Sequence, residues 1–346
     1  MSKNQRKNRY RLRPDEEEIL FKYRGLKEQA ELNGVSVETV KHGWLKNDNA
    51  SLFVTNPAYK DQATRELHEL KKGLIDWVNS ESKPVKKNPK RKGEHLLLID
   101  PADVHIGKLA RAFETGEEYN SQIAVKRVHE GIHGIIDNCE GWDIDKIVFI
   151  GGNDILHIDT PSRTTTSGTP QDTDGMWYDN FMIACKLYQQ VLEALSEIAP
   201  VHFIYNPSNH DYTNGFFLAQ LIEAYFRGNE NITFDVTIRH RKYFQYGKNL
   251  IGTTHGDGAK WDLLNGLMAN EVPVMWSETK HRYFYIHHVH HKTGKDLVGC
   301  TVEALRSPSA SDSWHHRKGY TGAPKAIEGY VHNIEHGQVA RISHLF

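Results

Sequence analysis

The chain has 346 residues, of which 38% are hydrophobic and 25% are charged, so it is long enough for two globular domains and is not compositionally disordered. No apolar stretch reaches membrane-spanning length, and the start is basic and polar without the apolar core of a signal peptide. We therefore expect a cytoplasmic protein, and we expect its three cysteines, Cys139, Cys185 and Cys300, to be reduced and buried.

The net charge of −1 conceals an uneven distribution of charge along the chain. Residues 1–92 hold 21 Lys and Arg against 13 Asp and Glu, a net charge of +8, and the remainder holds 22 against 31, a net charge of −9. An acidic body suits a fold that gathers carboxylates around cations, whereas a basic front end is typical of a protein that binds a polyanion. Nucleic-acid binding is the hypothesis that this distribution favours, and improved solubility is the alternative.

The first 79 residues are predicted to form a small all-α domain. Residues 14–25 carry acidic side chains where a first helical turn would lie, which favours a helix. Residues 26–46 resemble a helix-turn-helix, with Asn33-Gly34 ending one helix and Ser36 capping the next.

The second helix of this motif would pack Val37, Val40 and Trp44 inward. It would offer a DNA groove the side chains of Glu38, Lys41, His42 and Lys46. Protein contacts or simple packing are the alternatives to DNA binding.

A further helix is predicted over residues 57–79, with an apolar stripe formed by Ala63, Leu67, Leu70, Leu74 and Trp77. Residues 80–93 contain two prolines and six basic residues, which indicates an exposed linker whose charge could also follow a phosphate backbone. The predicted domains are therefore residues 1–79 and 94–346, joined by the basic linker 80–93.

The second domain alternates strands and helices, which predicts an α/β fold. Helical spacing of apolar residues covers 119–139 and 179–197, and residues 243–254 predict a hairpin around Gly247-Lys248-Asn249. Buried strands are predicted at 95–99, 147–150, 201–205, 250–253 and 283–286.

Each predicted strand is followed by a cluster of Asp, Asn or His. These clusters are Asp103-Val104-His105, Asn153-Asp154-Ile155-Leu156-His157, Ser208-Asn209-His210-Asp211, Thr254-His255-Gly256 and His287-His288-Val289-His290. Strand ends at one rim of a sheet bring such residues together, and a mixed shell of carboxylate, imidazole and amide donors suits two divalent ions. We expect Mn, with Fe or Zn as alternatives, and Asp154 as the carboxylate that bridges the two ions.

In this order the clusters resemble the signature of the calcineurin-like metallophosphoesterase superfamily, and the match covers residues 94–346. The resemblance implies an αββα sandwich. It also implies that one metal is held by Asp103, His105, Asp154 and His290, and the other by Asp154, Asn209, His255 and His288. His210 matches a non-ligand histidine that contacts the phosphate and protonates the leaving oxygen, and Asp211 is expected to orient it.

Three positions depart from the superfamily pattern, because Asn153, Ser208 and His287 stand where glycine is usual. Glycine at such places lets the backbone turn sharply or approach a ligand closely. Asn tolerates positive φ better than Ser or His does, and all of the ligand positions themselves are filled.

Within the superfamily, His157 resembles the histidine of the G-D-L-F-H form in nuclease subunits of double-strand-break repair complexes, where it contacts the nucleic-acid phosphate. Such nucleases pair into homodimers and work with an ATPase, but no segment here identifies either surface. Residues 160–175 and 306–320 also resemble segments of small bacteriophage-encoded metallophosphoesterases. The long polar loop 160–175, with Arg163 as a candidate nucleic-acid contact, is either one wall of a substrate groove or a surface excursion.

The function predicted from the sequence is two-metal hydrolysis of phosphodiester bonds by water that the ions activate, in a DNA nuclease with an N-terminal docking domain. DNA is expected as the partner ahead of RNA. One alternative is a phosphatase or cyclic-nucleotide phosphodiesterase acting on a small phosphoester, and another is a DNA-binding adaptor with a vestigial metal site. Beyond the motif, His291, His315 and His316 are candidates for substrate contact, whereas His129 and His133 are expected to be structural.

Overall fold

A computed structural model describes residues 14–46, 51–56, 59, 72–73 and 93–346. The chain divides into two compact units, residues 1–72 and 73–346. The helix predicted over 57–79 and the linker predicted over 80–93 lie almost entirely outside the described residues, so the domain boundaries stay predictions.

The described residues of the N-terminal unit form one long helix and a β-hairpin. Helix α1 (Pro14–Leu32) runs through both of the first two predicted helices and ends where expected, because Gly34 adopts a φ of +67°. After a short 3-10 turn at Val37–Thr39, strand β1 (His42–Lys46) pairs antiparallel with β2 (Ser51–Thr55).

The second helix predicted over residues 36–46 is therefore wrong, and the unit is not all-α. β-Branched residues and Gly43 make this segment a poor helix, and Ser51–Thr55 supplies a strand partner that the sequence analysis did not recognise. The inward packing predicted for Trp44 is wrong as well. Its side chain is 58% exposed and lies against Phe53, while Leu26, Ala30 and Val54 are the residues that are buried.

The C-terminal unit is built on two β-sheets. The six-stranded sheet has the order β13-β12-β3-β4-β5-β6, in which β3 to β6 are parallel and β12 and β13 are antiparallel additions. Its strands are β3 (His95–Asp100), β4 (Ile144–Gly152), β5 (Val201–Asn206), β6 (Ile232–Asp235), β12 (Ala326–Asn333) and β13 (Gly337–Leu345).

The five-stranded sheet has the order β10-β11-β9-β8-β7, with β8, β9 and β11 parallel and an antiparallel strand at each edge. Its strands are β7 (Lys242–Tyr246), β8 (Asn249–Thr254), β9 (His281–Ile286), β10 (Thr293–Leu297) and β11 (Cys300–Ala304). The predicted hairpin is confirmed, because β7 and β8 pair around a tight turn in which Gly247 has a φ of +52°.

The two sheets pack face to face, with helices on the outer faces. Leu98, Val148 and Ile204 of one sheet share a buried core with Ile251 and Tyr285 of the other. The helices are α2 (Ala112–Thr115), α3 (Ser121–Asp137), α4 (Trp177–Ile198), α5 (Tyr212–Tyr225), α6 (Leu264–Glu271), α7 (Pro273–Glu278) and α8 (Ser313–Lys318). Helices α3, α4 and α5 lie against the six-stranded sheet, and α6 and α7 pack on the other. This arrangement is the αββα sandwich that the resemblance in sequence implies.

The five predicted strands and both predicted helices of this unit are confirmed within a few residues at each end. The three cysteines are buried and unpaired, as expected. None of the helices in the described ranges is long and apolar enough to cross a membrane.

Candidate metal centre

The loops that follow β3, β4 and β9 hold an unusual concentration of left-handed backbone. Outside glycine, seven described residues have positive φ, and one of them is Arg163 in the loop 160–175. The other six are Asp103, His105, Asn153, Asp154, His288 and His290. L-residues adopt this conformation at a cost, so it persists where surrounding structure fixes it, which is common at functional sites.

Backbone hydrogen bonds between these loops fix their conformation. The amide of Asp103 donates to the carbonyl of Asn153 over 2.9 Å, and that of His105 donates to the carbonyl of Asp154 over 2.9 Å. The amide of Asn153 donates in turn to the carbonyl of Asn206 at the end of β5, over 3.1 Å. Three adjacent parallel strands are thus tied together at their carboxyl ends, which sets the positions of the side chains that follow them.

A first group of donors comprises Asp103, His105 and His290, each offering one atom within 4.8 Å of the others. The Nε2 atoms of His105 and His290 lie 3.2 Å apart, and His290 Nε2 lies 3.5 Å from an oxygen of Asp103. These three residues were predicted as ligands of one metal ion, and the structure brings them together.

A second group comprises Asp154, His255 and His288, again within 4.8 Å of one another. His255 Nε2 lies 3.2 Å from Asp154 Oδ2 and 2.9 Å from the amide oxygen of Asn209, so Asn209 joins this group as predicted. The same Oδ2 atom of Asp154 lies 3.9 Å from His105 Nε2 in the first group. Asp154 therefore stands between the two groups, the position expected of a bridging carboxylate.

The protonation of these residues fits cation binding. Burial and the nearby histidines lower the pKa of His105 well below its usual value, and burial lowers that of His290 to about 4. Both rings are thus neutral at physiological pH, which is the form that binds metal. Burial lowers the pKa of His255, but the negative charge of Asp154 outweighs burial and raises that pKa to about 9. A metal ion that binds His255 would therefore displace a proton from its ring.

The donor set therefore fits two divalent ions. It combines the two buried carboxylates of Asp103 and Asp154 with imidazole and amide donors. The residues placed to hold them are Asp103, His105, Asp154 and His290 for one ion, and Asp154, Asn209, His255 and His288 for the other.

His210 lies beside these groups, but it is oriented by a different residue from the one expected. Its Nδ1 is 2.8 Å from the carbonyl oxygen of His157, and its backbone amide donates to Asp154 Oδ1 over 3.0 Å. The carboxylate of Asp211 instead accepts from the amide of Leu156 over 2.9 Å and from Ser208 Oγ over 2.5 Å. The prediction that Asp211 orients the His210 ring is corrected, because Asp211 braces the neighbouring loops.

His157 is 2% exposed, as buried as the predicted ligand His105, and lies in one group with His105 and His210. Its Nδ1 is 3.2 Å from His105 Nδ1, and its ring stacks on that of His210 with centroids 5.3 Å apart. The ring therefore contacts a predicted ligand and the predicted acid, and its contact with the substrate phosphate stays a prediction.

The structure accepts the three residues that replace glycine in different ways. Asn153 adopts the left-handed conformation with a φ of 51°, whereas Ser208 and His287 do not have positive φ. Ser208 Oγ accepts from the amide of Asp154 over 2.8 Å. His287 is fully buried, with Nε2 2.8 Å from Asp100 Oδ2 and Nδ1 2.9 Å from the carbonyl of Thr254. Sequence analysis missed Asp100, although a carboxylate ending an apolar strand signals a buried partner.

The loop 160–175 is tied to the site. The amide of Thr166 donates to the carbonyl of Asn209 over 3.2 Å, and that of Asp174 donates to the carbonyl of Gly107 over 2.8 Å. The loop is therefore not a loose surface excursion, and its place as one wall of a substrate groove stays a prediction. Arg163 is exposed on this loop.

Lys41 and His42 are exposed in the N-terminal unit, on the hairpin or directly before it. The side chain of Lys46 lies outside the described part of the chain. Binding of nucleic acid by these three residues and by Arg163 stays a prediction.

No protein-family model matches the sequence, and a search of curated proteins finds no match either. Among solved structures, the chain is similar to an archaeal phosphodiesterase with 8% identity and a TM-score of 0.34, over 73% of this chain and 99% of that one. It is similar to zinc-bound Vps29 from Entamoeba histolytica with 10% identity and a TM-score of 0.30, over 72% and 98% of the two chains. A putative 5'-nucleotidase from Staphylococcus aureus has 10% identity and a TM-score of 0.33, over 73% and 54%. Likenesses at this level assign no activity, which has to come from the site itself.

Proposed function

We propose that this protein is a two-metal phosphodiesterase that acts on nucleic acid, and within that class a DNA nuclease. One observation carries the proposal: two groups of metal donors lie side by side and share Asp154, whose Oδ2 faces His255 at 3.2 Å and His105 at 3.9 Å. Paired divalent ions at this spacing of donors are typical of enzymes that cleave phosphoesters.

When bound, such ions lower the pKa of water and neutralise the charge that gathers on the phosphoryl oxygens. The contribution of the chain is to fix the donors through the left-handed loops and to present His210 beside Asp154. Because His210 Nδ1 is engaged by the carbonyl of His157, Nε2 is the atom from which a proton can pass to the departing sugar oxygen.

The preference for nucleic acid rests on the net charge of +8 over residues 1–92 and on the resemblance in sequence to repair nucleases. A second candidate is hydrolysis of a small phosphoester. That candidate rests on the donor set itself, because the same ligands serve small phosphoesters as well as nucleic acid.

The test is Mn²⁺-dependent cleavage of end-labelled single- and double-stranded DNA beside bis-p-nitrophenyl phosphate. We expect Asp154→Asn to abolish hydrolysis of all substrates, because both groups of donors lose their shared carboxylate. His210→Asn should slow DNA cleavage by about 100-fold or more and slow the p-nitrophenyl diester far less, since p-nitrophenolate departs without a proton. Asp262→Asn is the matched control, because Asp262 is 68% exposed and pairs with the exposed Lys295.

Hydrolysis that survives Asp154→Asn, or no hydrolysis of any substrate by the wild type, would overturn the two-metal phosphodiesterase. Hydrolysis of the small diester alone would replace the nuclease with the second candidate. An equal loss for both substrates in His210→Asn would remove His210 from the role of acid.

A further inference from the structure

A short segment that carries both aromatic and basic side chains lies exposed beside the metal centre. It consists of helix α8 (Ser313–Lys318) and the two residues after it, and we refer to residues 313–320 as the aromatic-basic segment. Trp314 is 50% exposed and Tyr320 is 64% exposed, and their rings lie 5.7 Å apart. The other exposed side chains of the segment are His316, Arg317 and Lys318.

The segment is anchored from beneath by Asp312. The Asp312 carboxylate caps α8 by accepting from the amide of His315 over 2.9 Å, and it lies 2.7 Å from His315 Nδ1. Its other oxygen lies 3.1 Å from Nζ of Lys108, a lysine whose side chain is completely buried. Because Lys108 balances the charge of Asp312, the exposed part of the segment keeps the positive charge of Arg317 and Lys318.

A continuous series of rings connects this segment to the predicted ligands. The ring of His315 stacks on that of His290 with centroids 5.1 Å apart and an angle of 21° between the planes. The indole of Trp314 lies 5.1 Å from the ring of His315. The exposed indole is thus separated from a predicted metal ligand by the ring of His315 alone.

We propose that the aromatic-basic segment binds one unpaired nucleotide next to the phosphate that is cut, an inference that rests on the proposed function. The base stacks on Trp314 and Tyr320, and Arg317 and Lys318 contact the next phosphate of the strand. An aromatic face accepts any base, and exposed basic residues one helical turn away suit a chain of phosphates better than an apolar protein partner. The substrate class is therefore single-stranded nucleic acid or the frayed end of a duplex.

The experiment compares two oligonucleotides of equal length, one of thymidylate and one whose sugars carry no bases, so that both keep every phosphate. Binding is followed by fluorescence anisotropy of a labelled strand in EDTA, and cleavage is followed in Mn²⁺. Trp314→Leu keeps apolar bulk without a π-face, and Trp314→Phe restores one. We expect Trp314→Leu to weaken binding and kcat/KM for thymidylate by about 10-fold, as the loss of one stacked base implies. The abasic strand should be unaffected, and Trp314→Phe should recover most of the loss.

The basic part is tested by Arg317→Gln with Lys318→Gln, against Lys126→Gln with Lys186→Gln as a control of equal charge on the exposed faces of α3 and α4. The first pair should weaken the binding of both strands and make that binding less dependent on salt. The control pair should change neither the affinity nor its dependence on salt. Trp314→Leu affecting both strands equally, or affecting neither, would overturn the inference.

The two proposals can fail separately. If the wild type cleaves no strand but binds thymidylate through Trp314, the proposed function falls and the binding site stands. If the wild type cleaves DNA and Trp314→Leu changes neither the anisotropy nor the cleavage rate, the nuclease stands and the aromatic-basic segment has no part in substrate binding.

Discussion

At the scale of single residues, the candidate ligands are held by a backbone that few side chains tolerate. Asp103, His105, Asp154 and His290 all have φ between 51° and 59°. The left-handed region costs an L-residue about 1–2 kcal/mol, so four such positions would relax if hydrogen bonds between the loops did not hold them. The ligand geometry is therefore fixed by the protein before any ion binds, which is what a preorganised centre requires.

Asn153, next to the bridging carboxylate, allows this backbone cost to be measured. It has a φ of 51°, is 1% exposed, and its Nδ2 lies 3.3 Å from His287 Nε2. Asn153→Gly and Asn153→Ala both remove that contact, so the two variants differ in backbone freedom and in one buried methyl group. We expect the alanine variant to be less stable than the glycine variant by about 1 kcal/mol in urea unfolding, because left-handed strain outweighs the greater freedom of glycine in the unfolded chain. Equal stability of the two variants would show that the loop relaxes.

At the scale of elements, the sequence indicates the strands that are buried on both faces far better than it indicates the N-terminal hairpin. The runs 96–99 and 203–205 are wholly apolar, so hydrophobicity alone identifies these strands from the sequence. The segment His42–Lys46 is half polar, and its conformation depends on pairing with Ser51–Thr55. That pairing is a contact between separate segments, so local helix signals such as Ser36 and Asn33-Gly34 cannot predict it.

Strands β12 and β13 at one side of the six-stranded sheet hold a buried charge network that no sequence signal marks. Glu328 is fully buried and lies 2.8 Å from Arg306 Nη1 and 2.9 Å from Arg341 Nη2. It also accepts from Ser343 Oγ over 2.5 Å. Burial would raise the pKa of Glu328, but the hydrogen bonds from Arg341 and Ser343 outweigh it, so its pKa lies below the ordinary value of 4.5.

We expect Glu328→Gln to lower the free energy of unfolding by about 3 kcal/mol at pH 7, since it leaves two arginines without their shared carboxylate. Because the folded pKa of Glu328 is depressed, its contribution is complete above about pH 4.5 and is lost as the pH falls below it. Urea unfolding from pH 3 to 8 should show the two proteins converging at the acid end. The control Glu130→Gln, which breaks an exposed pair with Lys126, should cost about 0.5 kcal/mol or less at any pH.

At the scale of the whole molecule, the centre is assembled from five strand ends that lie far apart in the sequence, from Asp103 to His290. The positions of the clusters at strand ends predicted that they converge, because parallel strands in both sheets deliver their carboxyl ends to one edge. The division of the residues between two ions came from the resemblance to the superfamily. The hydrogen-bond partners of those residues could not be predicted from the sequence. The bond between His287 and Asp100, or the use of the His157 carbonyl to orient His210, depends on distances that only the packed sheets define.

Metal binding should stabilise this molecule without being required for its fold. The core between the sheets, with Leu98, Val148 and Ile251, does not involve the ligands, so we expect the protein to remain folded in EDTA. The carboxylates of Asp103 and Asp154 repel each other there, and ions that bind only the folded state add about 2.7 kcal/mol per site at 100 times the dissociation constant. Scanning calorimetry with Mn²⁺ should therefore show a rise in Tm of about 5 to 10 °C for each occupied site.

Titration calorimetry should give two ions for the wild type and one for Asn209→Ala, because Asn209 belongs to the second group only. If the whole C-terminal unit unfolded in EDTA, the fold would depend on the metal ions, which contradicts this account. A single ion per wild-type chain would contradict it as well, because the two groups of donors would then not bind separate ions.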